Sequence, residues 1–246
     1  MPDDVTDDDL DEQPNDEPDR RAKPRKKRSF WKELPILIGV ALLLTFVIQQ
    51  FIARPYMIPS GSMEQTLHGC VGCTPDRVLV DKLVYRFSDP ESGEVVVFRG
   101  PDTWLGGGET ADSENVFAGF VQYVGSLVGL APPDERDFVK RIIAEGGQTV
   151  RCCDENNRVV VDGEPLDEPY VYYPPGTPAE QRSFDQVTVP KGMVWVMGDN
   201  RTNSSDSRVN GPVPVENIIG KARVIVLPPG RWGVVSDHNP QQEASG

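Results

Sequence analysis

Nineteen consecutive positions without a charge, Leu34–Ile52 (LPILIGVALLLTFVIQQFI), divide this chain into two unlike parts. Only Gln49 and Gln50, near the end of the run, are strongly polar. At ~1.5 Å per residue a helix over this stretch reaches across the ~30 Å hydrocarbon core of a bilayer. Pro35 falls in the first turn, where a missing N–H costs nothing. The pattern predicts one transmembrane helix. A cleaved leader fits poorly, because the run begins past residue 30 and no small-residue cleavage pattern follows it.

Beyond residue 52 the apolar residues come in short clusters. Val78–Tyr85, Val95–Arg99, Phe138–Ile143, Val159–Val161, Val187–Val189, Val194–Met197 and Ala222–Leu227 are rich in Val and Ile and bounded by Gly, Pro, Asp and Asn. Asp162-Gly163 is a hairpin signal, since a type I′ turn needs positive φ at both central residues. Lys191-Gly192 and Pro229-Gly230 are further turn candidates. The expected fold is mainly β, an antiparallel, barrel-like or sandwiched domain behind a single N-terminal transmembrane helix. One stretch departs from it. Within a 101–137 insertion, a Gly-rich loop precedes Val116–Leu130, whose Phe117, Phe120, Val121, Val124, Leu127 and Val128 share one helical stripe. About 15 residues cannot span a bilayer. Such a helix either packs on the β core or dips into the lipid interface.

Charge then sets the orientation. Residues 1–19 hold ten acidic side chains, no basic ones and three prolines, the composition of a disordered tail. Arg20, Arg21, Lys23, Arg25, Lys26, Lys27 and Arg28 follow, just before the apolar run. By the positive-inside rule this end stays in the cytoplasm and residues 53–235 are exported, with 236–246 as a flexible tail. Leaving out residues 1–33, the chain holds 17 basic and 27 acidic side chains, a net charge near −10. That balance argues against a nucleic-acid partner. The lipid bilayer is the expected partner instead.

Pro59-Ser60-Gly61-Ser62-Met63 stands a few residues beyond the anchor, which places a hydroxyl cluster at a membrane surface. A nucleophilic serine needs a base, and the chain has two histidines. His238 lies in the polar tail, and His68 is too near Ser62 in sequence to reach back easily. No catalytic metal set and no cofactor motif emerge either. Lys140 is the better candidate. In Phe138-Val139-Lys140-Arg141-Ile142-Ile143 it shares a strand face with Phe138 and Ile142, while Arg141 points the other way. Burial among apolar groups disfavours the ammonium and lowers a lysine pKa from ~10.4 by several units, which makes it a usable base. The competing reading is a strand lysine that snorkels to water.

A third segment, Gly198-Asp199-Asn200-Arg201-Thr202-Asn203-Ser204-Ser205-Asp206-Ser207-Arg208, follows the apolar strand Met193–Met197. With it the chain resembles the bacterial type I signal peptidases, membrane-anchored serine proteases with a Ser-Lys dyad. The resemblance runs from the anchor to about Val235. It rests on the Ser62 segment with Thr66-Leu67, on Gly93-Glu94-Val95-Val96-Val97-Phe98, on Lys140-Arg141 and on Gly198–Arg208. Gln65 stands where the family usually has Pro, and Ala144-Glu145-Gly146-Gly147-Gln148 replaces its Gly-x-Pro-Gly-Asp. The resemblance implies a signal-peptidase type β fold, shared with the SOS repressors. It implies Ser62 as nucleophile, Lys140 as general base and Ser60 with the Ser62 N–H as oxyanion hole. Ser204 would orient the lysine, and Asp206 with Arg208 would form a supporting ion pair. The implied substrates are signal peptides of exported preproteins, cut after Ala-x-Ala-like sites at the outer face of the cell membrane.

Two other classes compete. A self-cleaving Ser-Lys regulator would need a DNA-binding domain, which residues 1–33 do not offer. A non-enzymatic membrane-tethered β module would leave the Ser62, Lys140 and Ser204 segments unexplained. Cys70, Cys73, Cys152 and Cys153 all lie in the exported part, where disulfides are favoured. A Cys-x-x-Cys redox motif and a zinc site are the other readings, but adjacent cysteines pair only with a distorted peptide, so the expectation is a bridge joining the two segments. Asn200-Arg201-Thr202 and Asn203-Ser204-Ser205 fit the glycosylation pattern by coincidence.

Overall fold

A computed structural model describes residues 30–70, 72–104 and 136–242. The acidic tail, the basic flank Arg20–Arg28 and the apolar stripe at 116–130 lie outside the described residues. The chain divides into two units, 1–40 and 41–246. α1 (Phe30–Val47) begins in the first and ends in the second, and a wider helical turn continues it over Ile48–Ile52. The window Glu33–Ile52 has a mean hydropathy of 2.2, and none of it is buried against the rest of the chain. A helix this apolar on every side suits lipid better than water.

The remainder is two antiparallel sheets. In chain order the strands are β1 (Ala53–Met57), β2 (Arg77–Asp81), β3 (Val95–Arg99), β4 (Asp137–Glu145), β5 (Thr149–Cys152) and β6 (Val159–Val161). β7 (Glu164–Pro165), β8 (Phe184–Thr188), β9 (Met193–Met197), β10 (Val213–Pro214), β11 (Ile218–Leu227) and β12 (Gly233–Val234) follow. The larger sheet is an open, curled half-barrel ordered β1-β2-β11-β3-β4-β9-β10, with β12 on β11. The smaller sheet is ordered β7-β6-β5-β8. The valine runs of β3 and β6 are buried throughout, as strands covered on both faces should be. Asp162 and Gly163 both take positive φ between β6 and β7, as the hairpin signal requires.

β2 is shorter than the expected Val78–Tyr85. Asp81 turns its carboxylate onto the N–H groups of Leu83 and Val84, at 2.9 and 3.2 Å, and a short helical turn replaces the end of the strand. β4 links the sheets. A register shift against β9 between Ile142 and Ala144 bends it, so that Ile143 and Ala144 pack with Val150, Val159 and Leu166 of the smaller sheet. Phe138 and Ile142 pack instead with Val96, Phe98 and Trp104.

Residues 236–242, expected as a free tail, are instead held against the sheets. The Ser236 carbonyl accepts from Arg141 at 2.8 Å, Asp237 pairs with the mostly buried Lys221 at 2.7 Å, and Gln241 donates to the Ile143 carbonyl at 3.0 Å. Polar composition misled here because the docking uses backbone carbonyls, a side-chain amide and an ion pair, which carry no hydrophobic signature.

Candidate active site

β1 ends at Met57, and the chain then turns inward. The Ile58 N–H donates to Asp76 at 2.9 Å, Ser60 is extended, and Gly61–Met63 make a single helical turn. Met63 and Leu67 are fully buried among Val78, Val95 and Ala222. These two apolar side chains fix the turn from beneath. Ser62, 8% exposed, is left facing β4.

Lys140 meets it there. Its Nζ donates to Ser62 Oγ at 2.8 Å and to its neighbour's carbonyl, Val139, at 2.9 Å. Lys140 pairs with Val96 across the sheet, and Phe138 with Phe98, so all four share one face. Only 4% of Lys140 is exposed. Desolvation by that burial lowers its pKa to about 8, and the Arg208 charge acts in the same direction. Asp206 and Asp199 oppose it without prevailing. A buried amine at hydrogen-bond distance from a serine hydroxyl can take that hydroxyl's proton. Ser60 Oγ lies 3.3 Å from Ser62 Oγ, on the same side of the segment.

The loop after β9 closes the site. Asn200 donates its backbone N–H to the Ser62 carbonyl at 3.1 Å and its side-chain amide to the Gly61 carbonyl at 3.0 Å. Asp206 caps α2 (Ser207–Asn210) and binds Arg208 through both carboxylate oxygens at 2.8 Å. Burial pushes the Asp206 carboxyl up, but the Arg208 hydrogen bonds and charge outweigh it and hold the group below the usual carboxylate range. The Ser204 hydroxyl donates to Asp206 at 2.7 Å. The hydrogen bonds found on the Lys140 amine go to Ser62 and Val139, so Ser204 is tied to the lysine through the neighbouring carboxylate.

Gly198 permits this closeness. A Cβ there would lie 2.5 Å from the Ser62 carbonyl oxygen and would also collide with the Ser204 hydroxyl. Gly198→Ala should therefore displace the Ser62 turn, lowering any activity that depends on Ser62 at least about 10²-fold, the scale of a ~1 Å misplacement. Steady-state kinetics with thermal unfolding would test it. An alanine variant with full activity would show that the turn yields freely.

Sequence patterning missed the support beneath the dyad. Arg141, fully buried, donates to both Asp199 oxygens at 3.0 and 2.8 Å, to the Gly93 carbonyl at 2.7 Å, and stacks 4.0 Å over Tyr170. Thr66 donates to Asp199 at 2.5 Å, joining this pair to the Ser62 segment. Arg201 is likewise bidentate to Glu168, at 3.0 and 2.6 Å. An arginine inside an apolar strand was the available signal, because a buried guanidinium must find a carboxylate.

The cysteines pair within their segments, Cys70 with Cys73 and Cys152 with Cys153, and not across them. Cys152 belongs to β5 of the smaller sheet, whereas Cys70 and Cys73 lie in the loop before β2 of the larger one. The adjacent pair closes over a cis peptide with its Cα atoms 3.0 Å apart. Asn200 is buried and engaged with Gly61, which makes it a poor acceptor for a glycan.

Comparison with known proteins agrees with this geometry. Residues 31–227 match the family model described as signal peptidase, peptidase S26. Signal peptidase I of Mycobacterium tuberculosis is 51% identical over 235 residues, covering 88% of this chain and 79% of its own length. A probable signal peptidase I of Mycobacterium leprae is 47% identical over 90% of this chain and 84% of its own. A probable signal peptidase I-1 of Synechocystis is 40% identical over 83% and 86%. With the match spanning the anchor, the serine turn, β4 and the Gly198–Arg208 loop, the chain belongs to the signal peptidase family, peptidase S26.

Proposed function

We propose that this chain removes N-terminal signal peptides from exported preproteins, with Ser62 as nucleophile and Lys140 as general base. The 2.8 Å contact between Ser62 Oγ and a Lys140 amine buried in the sheet carries the assignment. In the attack, Ser62 Oγ bonds to the scissile carbonyl carbon and its proton passes to Lys140 Nζ. Lys140 then protonates the leaving amine. In the second half it takes a proton from water, whose oxygen bonds to the acyl carbon, and returns that proton to Ser62 Oγ as the ester bond breaks. The chemistry balances with the dyad and water alone.

The oxyanion is held by the Ser62 N–H and the Ser60 hydroxyl, two donors set before the charge develops. Asp206, Arg208, Ser204 and Asn200 keep the loop against the turn. The substrate binds extended, and small residues before the cut fit shallow apolar pockets. The helix over Glu33–Ile52 anchors the chain with its N-terminus in the cytoplasm and its sheets on the outer face. Holding enzyme and preprotein in one bilayer raises their effective concentration.

The test is cleavage of a purified preprotein by the detergent-solubilised full chain. A single cut after an Ala-x-Ala site supports the proposal, and an uncut preprotein with a well-folded enzyme refutes it. Ser60→Ala should lower kcat by about 10²-fold with little change in KM, because an oxyanion donor acts mainly in the transition state. A change confined to KM would make Ser60 a substrate-binding residue.

A further inference from the structure

The loop that follows the serine turn carries a donor set which proteolysis does not use. His68, Cys70 and Cys73 offer ligand atoms that all lie within 4.8 Å of one another. In this structure the two sulfurs are bonded to each other, with Cα atoms 5.5 Å apart. That Cα spacing serves a disulfide. It also suits a Cys-x-x-Cys pair whose sulfurs share a tetrahedral ion, about 3.8 Å apart for Zn–S bonds of about 2.3 Å. We propose that, once the Cys70–Cys73 bridge is opened, His68, Cys70 and Cys73 bind one zinc-class divalent ion.

Two observations raise this above a chance cluster. His68 is held in place before any ion arrives. Its backbone N–H donates to Asp76 Oδ2 at 2.7 Å, and its carbonyl accepts the Asp76 N–H at 2.8 Å, Asp76 itself being fully buried. The imidazole is held as well. Glu64 Oε2 lies 2.7 Å from His68 Nδ1, while the other Glu64 oxygen accepts the Gly69 N–H at 3.2 Å. A carboxylate on one ring nitrogen fixes the tautomer and leaves the other nitrogen's lone pair for a metal, the usual outer partner of a zinc-bound histidine. The donors are also reachable, since Cys70 is exposed and His68 and Cys73 are partly so.

The chemistry balances. A small-molecule dithiol supplies two electrons and two protons, becomes a cyclic disulfide itself and leaves two thiols on the protein. Both thiols lose their protons as the ion binds, so the bound set of two thiolates, one imidazole and M²⁺ is neutral. The fourth position is open to water. The site also touches the serine turn, because Gly69 packs so closely that a Cβ there would lie 2.6 Å from the Ser60 carbonyl oxygen.

Cobalt(II) titration of the full chain in detergent, after dithiol reduction and anaerobic removal of the reductant, tests the proposal. Reduced protein should bind one Co(II) per chain, with thiolate-to-cobalt charge-transfer absorption in the near ultraviolet and tetrahedral bands in the visible. Unreduced protein should give neither. Cys70→Ser/Cys73→Ser should abolish the signal, Cys152→Ser/Cys153→Ser should keep it, and Glu64→Gln should weaken binding about 10- to 100-fold. Reduced wild-type protein without charge-transfer absorption would overturn the proposal. So would a signal that survives Cys70→Ser/Cys73→Ser or disappears with Cys152→Ser/Cys153→Ser.

Discussion

Ser62→Ala is expected to reduce preprotein cleavage by about 10⁴-fold or more, because on the proposed mechanism it removes the hydroxyl that meets the Lys140 amine at 2.8 Å. The fold should not notice. Ser62 Oγ is bonded to Lys140 and Ser60, and Lys140 keeps the Val139 carbonyl when the hydroxyl is gone. The turn itself is held by Met63, Leu67 and Asn200, which the substitution leaves untouched. Thermal unfolding and circular dichroism should therefore match the wild type while product formation vanishes. Ser62→Cys should retain a fraction of the activity, since a thiolate needs less help from a base. Substantial turnover by the alanine variant would remove Ser62 from the mechanism.

Lys140 carries the second large effect, and it has a pH signature. Only the neutral amine can accept the serine proton. With a pKa of about 8, about a tenth of the enzyme is ready at pH 7 and half at pH 8. The rate should climb about tenfold per pH unit below that point and level off above it. A histidine-based enzyme would have its rise centred near pH 6–7. Lys140→Arg should be as inactive as Lys140→Ala, because guanidinium keeps its proton at any working pH. Near-wild-type cleavage by the arginine variant would reduce Lys140 to a positioning charge.

The same shift predicts an effect on stability of definite sign. Between pH 8 and 10.5 the unfolded lysine holds a proton that the folded one has released, so stability rises with pH across that window. At or below neutral pH the buried amine costs about 3 kcal/mol relative to an unperturbed lysine. Lys140→Met should thus melt higher than the wild type at pH 6 while being inactive, an exchange of stability for function.

Much of this was legible in the residues. β3 and β6 lie where the valine runs put them, because a strand buried on both faces is apolar at every position. Alternation put Lys140 with Phe138 and Ile142, and the sheet register agrees. β1 was not legible. Ala53–Met57 has no clear alternation, and its extended state follows from pairing with β2, Ala53 opposite Asp81 through Met57 opposite Arg77. Nor could local rules reach the partners of Arg141, since Asp199 and Ser236 are 58 and 95 positions away. Two cysteine pairs in neighbouring positions were misjudged because sequence spacing says little about which sheet each segment joins.

The carbonyl that Ser236 lends to Arg141 has a bearing on when the molecule becomes active. Synthesis reaches Ser62 first, then Lys140, then the Asp199–Arg208 loop, and only after these Ser236. A copy halted before Asp199 therefore owns a serine and a lysine, while the arginine beside that lysine has the Gly93 carbonyl but neither the Asp199 carboxylate nor the Ser236 carbonyl. A chain cut short before Asp199 is therefore expected to fold without a settled Ser62–Lys140 pair and to cleave nothing, which an assay on that truncation would check.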